Sequence, residues 1–299
     1  MTQGVYRRES PEETSRRLKL LAALLNLSLM EKLKLTERII AEGLEKGNPA
    51  LLYSGGRDST VLLVLVQKVC KDIAIIHNDT GLGDPVNLQF VRIFTQGMNF
   101  LETTADPITM WSEKGYYPIF SKRGFSALRR KHPKALFNPV LCCYNLKERF
   151  SKAIFRKNNA EVVFWGNRAA EGNRRKLTFV DNGFLFKPKI HPWWYCYPLQ
   201  HWRDEDINDF LAAEVPQYPA QKTYENGCLC CGIDWGYYPN NLCKLYDANP
   251  RLWKKYMLSE FGRQLALING LKPDMLDEIL ESKPGLLLWY RHARKGKSL

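Results

Sequence analysis

The stretch that most narrows the fold is Ser54-Gly55-Gly56-Arg57-Asp58-Ser59-Thr60. It is set between a short apolar run, Pro49-Ala50-Leu51-Leu52-Tyr53, and a segment from Asp58 to Cys70 with apolar residues at helical spacing. A strand that turns through glycines directly into a helix aims its backbone N–H groups and the positive helix end at one point, which is what an anion requires. The glycines let the main chain come close to whatever is bound. The Gly-Lys-Ser/Thr ending of a Walker A loop is missing, and no Gly-x-Gly-x-x-Gly follows a strand, so those two nucleotide motifs are excluded.

The rest of the chain builds a sheet around that loop. Residues Ser15 to Lys46 carry Leu18, Leu21, Leu25, Leu29 and Leu33 at helical spacing and read as one or two amphipathic helices. A second strand is expected over Asp72 to His77, ending in Asn78-Asp79-Thr80-Gly81, and a third over Glu161 to Trp165, ending at Gly166. Strands alternating with helices imply an α/β fold: a parallel twisted sheet with helices on both faces and ligands at the carboxyl ends of the strands. The expected organisation is an N-terminal helical segment over 1–46, a nucleotide-binding domain with a cysteine cluster over 47–247, and a helical extension with a basic tail over 248–299. Ser112 to Lys134, rich in glycine, proline and cations, reads as a loop region ordered by ligand or simply solvated.

No uncharged apolar run approaches the ~18 residues that cross a bilayer, and Met1 to Pro11 is polar, so a soluble, cytoplasmic protein without a membrane partner is expected. Lys and Arg number 44 against 31 Asp and Glu, a formal charge of +13, which favours polyanions such as nucleic acid or nucleotides. Eight cysteines in an intracellular chain are metal ligands or redox groups sooner than disulfides where they cluster. Cys142-Cys143 and, far downstream, Cys228-Leu229-Cys230-Cys231 form such a cluster, suited to an iron–sulfur centre or to zinc. Cys70 and Cys196 stand in apolar surroundings and read as core.

Ser-Gly-Gly-x-Asp-Ser after an apolar strand resembles the PP-loop of enzymes acting at the α-phosphate of ATP, in the adenine nucleotide alpha hydrolase-like superfamily. The likeness runs from Ala50 to Cys231 and narrows to the adenylyl-sulfate and phosphoadenylyl-sulfate (PAPS) reductase family. His77-Asn78-Asp79-Thr80-Gly81-Leu82 looks like that family's strand with Asp-Thr-Gly. The stretch from Gly166 through Asn167 and Arg168 to Arg174 is similar to its Gly-x-Arg segment, and Pro198-Leu199 through Ile207 is similar to its Pro-Leu, Trp, Asp-Ile run. The resemblance implies that Ser54, Gly55, Gly56, Arg57, Ser59, Thr60, Asp79, Thr80 and Gly166 hold the nucleotide, ATP or a sulfonucleotide. It gives Asp58, Arg168 and Arg174 catalytic roles, Asp58 orienting the loop or a Mg2+ ion. Arg57 stands where several relatives carry Lys, and a guanidinium meets phosphate bidentately. The resemblance also tips the metal toward [4Fe–4S], held by Cys142, Cys143, Cys228 and Cys231, with Cys243 or Cys230 as substitutes and zinc as the alternative. Trp193-Trp194-Tyr195 reads as core packing in preference to a base-stacking surface.

Two departures bear on activity. The family's reductases carry a C-terminal Glu-Cys-Gly nucleophile, whereas no cysteine follows Cys243 here. The acid Glu171 stands three residues beyond Arg168, as in relatives that activate ATP for sulfur transfer. The expected activity is therefore an ATP pyrophosphatase that adenylates a substrate for sulfur transfer, with DNA or tRNA as the acceptor and a sulfur donor protein such as a cysteine desulfurase. A sulfite-releasing reductase and a non-catalytic nucleic-acid-binding subunit are the alternatives.

Overall fold

The computed structural model describes residues 10–114, 143–219, 228, 246–247, 249–259 and 263. The chain divides into two compact units, Met1–His77 with Gln89–Glu102 and Ser151–Ala220, and Asn78–Leu88 with Thr103–Phe150 and Gln221–Leu299.

The first unit carries most of a six-stranded sheet. Its strands are β1 (Pro49–Leu52), β2 (Ala74–Asp79), β3 (Phe100–Thr104), β4 (Val162–Phe164), β5 (Leu185–Phe186) and β6 (Trp194–Cys196). Their order across the sheet is β3-β2-β1-β4-β6-β5. β1 pairs in parallel with β2 and β4, and β4 with β6, while β5 runs antiparallel to β6. The order reverses between β1 and β4, and a crevice opens at such a switch point beyond the carboxyl ends of the strands. The α/β class and the mostly parallel sheet agree with the sequence pattern. β3, β5 and β6 are further strands, of which Trp194-Tyr195-Cys196 was legible only as an apolar run.

The helices are α1 (Pro11–Leu25), α2 (Leu29–Leu44), α3 (Arg57–Val69), α4 (Pro85–Phe94), α5 (Pro107–Lys114), α6 (Arg149–Lys157), α7 (Asn173–Asn182), α8 (Asp204–Glu214) and α9 (Pro250–Met257). Strand side chains alternate, and the cores follow that alternation. Leu51, Ile75, Val162, Phe164 and Cys196 face a core built with Ile39 and Ile40 of α2, Val61 to Val66 of α3, Val91 of α4 and Ile207, Phe210 and Leu211 of α8. Ala50, Ala74, Ile76, Val163 and Trp193 face the other way, toward Phe155 of α6. Helices thus cover both faces. Trp193 is core, as its context implied. Burial of Cys196 pushes its thiol pKa up and keeps it neutral. No helix among the described residues is long and apolar enough to cross a membrane.

Local chemistry sets the helix ends. Ser28 caps α2 with a full capping box: Ser28 Oγ accepts from Glu31 N, and Glu31 Oε2 accepts from Ser28 N at 2.8 Å. α3 and α8 lie side by side with their starts together, since Arg57 reaches Asp204 at one end and Lys68 reaches Glu214 at the other. The start of α8 is tied to α2 by a buried ion pair, Lys32 Nζ to Asp206 Oδ2 at 2.6 Å. Beside it Trp202 Nε1 donates to Thr36 Oγ1 at 2.9 Å, and Thr36 Oγ1 donates to the Lys32 carbonyl.

Candidate functional site: a phosphate cradle at the switch point

β1 delivers the chain through Tyr53 to the loop at 54–56, and α3 begins at Arg57 with Gly56 as its N-cap. A glycine cap has no side chain to satisfy the first-turn N–H groups, so they remain directed out of the helix end. The loop's hydroxyls brace its shape. Ser54 and Ser59 hydroxyl oxygens lie 3.0 Å apart, Gly56 N donates to Ser54 Oγ at 3.2 Å, and Ser59 Oγ and Thr60 Oγ1 donate to the Gly56 carbonyl. From outside the loop, Tyr218 donates its hydroxyl to the Gly55 carbonyl at 3.4 Å.

Gly166, just past β4, presses against the first turn of α3: a Cβ there would stand 2.9 Å from Ser59 N and 3.0 Å from the Asp58 carbonyl carbon. Only a residue without a side chain permits that approach. Two residues on, Arg168 is 2% exposed, and its Nε lies 2.8 Å from Asp58 Oδ1. At that distance the contact is chiefly ionic, and among the described residues Arg168 Nη1 is buried without a hydrogen-bond partner. Arg168 Nη2 donates to Asp204 Oδ1 at 2.9 Å. The same oxygen lies 3.3 Å from Arg57 Nη2, while Arg57 Nη1 donates to Asn208 Oδ1 at 2.9 Å. Burial raises the Asp58 pKa, opposed by the positive charge of Arg168 and, less strongly, of Arg57 and Arg175.

Six loop residues (Ser54, Gly55, Gly56, Arg57, Ser59 and Thr60), Gly166, Asp58 and Arg168 are thus assembled in one place. Arg174 stands on the second position of α7, with its side chain outside the described set. Sequence reasoning passed over its neighbour Arg175, which pairs with Glu171 and whose field reaches Asp58. The i, i+4 spacing of Glu171 and Arg175 was the available signal. Asp204 and Tyr218 were also passed over, and no local pattern marks either.

The second unit holds the other predicted residues. Asp79 closes β2 and its Oδ1 accepts from Gly81 N at 2.9 Å. Gly81 has φ +67°, and a Cβ there would meet the Ala105 carbonyl at 2.6 Å, so the Asp-Thr-Gly turn needs its glycine. Thr80 is buried, and its Oγ1 accepts from Leu82 N and from the Cys228 thiol, the latter at 3.4 Å. Cys143 immediately precedes a π-helical turn, Tyr144–Glu148. Cys143 is exposed at the surface, yet the protein packed around it raises its thiol pKa, against the pull of Lys147, and the charge of Cys228 raises it further. A thiophilic metal or cluster is held by thiolates, and these are two of the four cysteines expected from the sequence to hold one. Cys142, Cys230, Cys231 and Cys243 lie outside the described residues, and among those described no group of three or more His, Cys, Asp or Glu is placed to hold a metal ion.

A mostly parallel sheet with a glycine-capped helix start and a buried arginine at its switch point defines an α/β protein of the kind that receives anionic ligands at the carboxyl ends of its strands. Comparison with known families is more specific. Residues 48–232 match the phosphoadenosine phosphosulfate reductase domain, and the chain belongs to that family. A phosphoadenosine 5'-phosphosulfate reductase of Aliivibrio salmonicida (strain LFI1238) is 36% identical over 212 residues, covering 68% of this chain and 74% of that protein. A reductase of the same name from Aliivibrio fischeri (strain MJ11) is 28% identical over 213 residues, with the same shares covered. Among solved structures, a phosphoadenylyl-sulfate reductase from Candida auris in a phosphate complex aligns with TM-score 0.42 and 17% identity over 68% of this chain and 86% of that one. The U34-tRNA thiolase NcsA from Methanococcus maripaludis, with its [4Fe–4S] cluster, aligns with TM-score 0.39 and 18% identity over 81% of each chain.

Proposed function

We propose that this chain is an ATP pyrophosphatase of the PAPS reductase family that adenylates a nucleic-acid acceptor so that sulfur can replace oxygen. The observation that carries the reading is the start of α3: an uncapped helix end beside paired serine hydroxyls, with Arg57 and Arg168 within reach of Asp58 and Asp204. First-turn N–H groups and guanidinium forks offer directed donors to pyrophosphate, the group that must leave.

In this reading an oxygen of the acceptor attacks the α-phosphorus of ATP. The bond from that phosphorus to the bridging oxygen breaks, pyrophosphate departs, and AMP stays on the acceptor. A sulfur nucleophile then displaces AMP, forming the bond to sulfur. The first-turn N–H groups of α3 hold the β- and γ-phosphates, and Arg168 stabilises charge growing on the leaving oxygen. Asp58 balances the charge of that guanidinium. Mg2+ accompanies the triphosphate and offsets its charge. A [4Fe–4S] cluster, with Cys143 and Cys228 among its ligands, would supply a thiophilic point of attachment for the incoming sulfur. The formal charge of +13 supports DNA or tRNA as acceptor.

Pyrophosphate release from Mg-ATP by protein purified without oxygen, with and without tRNA or DNA, tests the reading. Release stimulated by nucleic acid is expected. Family membership and the 36% identical relative favour a second reading, reduction of a sulfonucleotide to sulfite. Sulfite from phosphoadenylyl sulfate with no pyrophosphate from ATP would establish that one instead.

A further inference from the structure

Arg57 opens α3 and Arg168 follows β4, so the two guanidinium groups come from separate parts of the fold. They nonetheless converge on one oxygen, Asp204 Oδ1, at 3.3 and 2.9 Å. Two cations sharing a single anionic oxygen is the arrangement a phosphate takes between two arginines. The carboxylate that occupies it is 57% exposed, so desolvation does not force it to find a cation. Its position is instead inherited from the mounting of α8. Two residues along, Asp206 Oδ2 accepts from the main-chain N–H of Arg203 and pairs with Lys32 at 2.6 Å, and Ile207 is fully buried. The helix start is therefore held by α2 and by the core whether or not Asp204 meets the arginines. Meanwhile, among the described residues, Arg168 keeps a buried Nη1 with no partner, donor capacity that neither Asp58 nor Asp204 takes up.

We infer that Asp204 is a resident stand-in for a substrate phosphate, competing with the anion for Arg57 and Arg168 and so setting which anions the site accepts. The inference rests on the reading of the α3 start as a phosphate site. With the carboxylate in place, a weakly charged anion such as monophosphate or sulfate gains too little from the arginines to displace it. Pyrophosphate adds contacts to the α3 N–H groups and can compete. On its release the carboxylate returns, which keeps the arginines oriented and favours departure of the product. Asp204 is thus a specificity-determining residue, separate from those that bind the nucleotide directly.

The sign of one substitution decides the matter. If Asp204 merely positioned the arginines, removing its charge would weaken anion binding; if it competes, binding tightens. Inorganic pyrophosphate and, separately, inorganic phosphate would be titrated calorimetrically into the full chain and into Asp204→Asn, with Asp204→Ser as a second variant should the first fold poorly. The expected result is tighter pyrophosphate binding by about three- to tenfold in either variant, with a larger relative gain for phosphate, and a thermal midpoint close to that of the parent. Unchanged or weaker pyrophosphate binding in a folded variant, with the parent still binding, overturns the inference and leaves the phosphate site standing. No pyrophosphate or Mg-ATP binding by the parent or either variant removes the phosphate site itself, and the inference falls with it.

Discussion

Two helices start side by side in this molecule and are finished in opposite ways. α8 begins closed: its first turn carries Asp204, Glu205 and Asp206, and Asp206 accepts from the Arg203 main chain while pairing with Lys32. α3 begins open, on a glycine with no side chain to offer, and the acid of its first turn, Asp58, is turned aside to Arg168. Both ends carry the same positive partial charge. One is balanced by three acids in its own first turn and serves as a mounting; the other has a single acid there, drawn aside to Arg168, and keeps its positive end for an anion. A helix end whose one acid is engaged elsewhere leaves its positive end unbalanced, and that difference in first-turn charge marks where an anionic ligand is expected.

The contrast can be attacked first at its most buried charge. Arg168→Ala strands Asp58 in a site of low polarity and is expected to cost about 3–5 kcal/mol in urea unfolding. Arg57→Ala, which removes a half-exposed partner of Asp204, should cost under about 1 kcal/mol. Equal costs would mean that the Arg168 pair is not the buried support described. Next comes acid. His201 is fully buried, with Nε2 facing the Lys32 carbonyl at 3.2 Å, and burial lowers its pKa from 6.5 to about 4. Between those values the unfolded chain binds the proton and the folded one does not. Stability is therefore complete above pH 6.5 and declines as pH falls toward 4, by on the order of 3 kcal/mol. His201→Gln should flatten that part of a stability-against-pH curve, and an unaltered slope would show that other groups carry it.

A smaller effect separates the open end from the fold. Gly166→Ala pushes a methyl into the first turn of α3, and a loss of about 1–3 kcal/mol is expected, accompanied by weaker Mg-ATP binding measured on the folded fraction. Retained affinity would mean that the loop tolerates displacement. Smallest is Ser28→Ala at the closed start of α2, which should cost about 1 kcal/mol in thermal unfolding and leave ATP affinity unchanged.

The loop at 54–60 was legible because strand, turn and helix are contiguous there, so a local pattern records the whole motif. Gly166 and Arg168 were legible through resemblance, and the structure brings them onto the same helix start. What the sequence did not disclose is made by distance along the chain. Nothing near Asp204 reveals that Arg57 and Arg168 meet on it, nor does anything near Lys32 announce Asp206. The short strands β5 and β6 escaped for a related reason: two or three residues carry too little periodicity to distinguish a strand from any apolar run. Arg175 was passed over for Arg174 because Glu171 lies in the turn before α7, and the point where the chain resumes as helix decides which of the two adjacent arginines meets it.

The contact between Gly166 and the first turn of α3 joins main chain to main chain. Such a joint is indifferent to the side chains around it. Residues flanking the crevice can drift and alter what is bound or which bond is cut, while the two halves of the sheet keep their alignment. Inheritance can in that way preserve a mount and exchange the tool fitted to it.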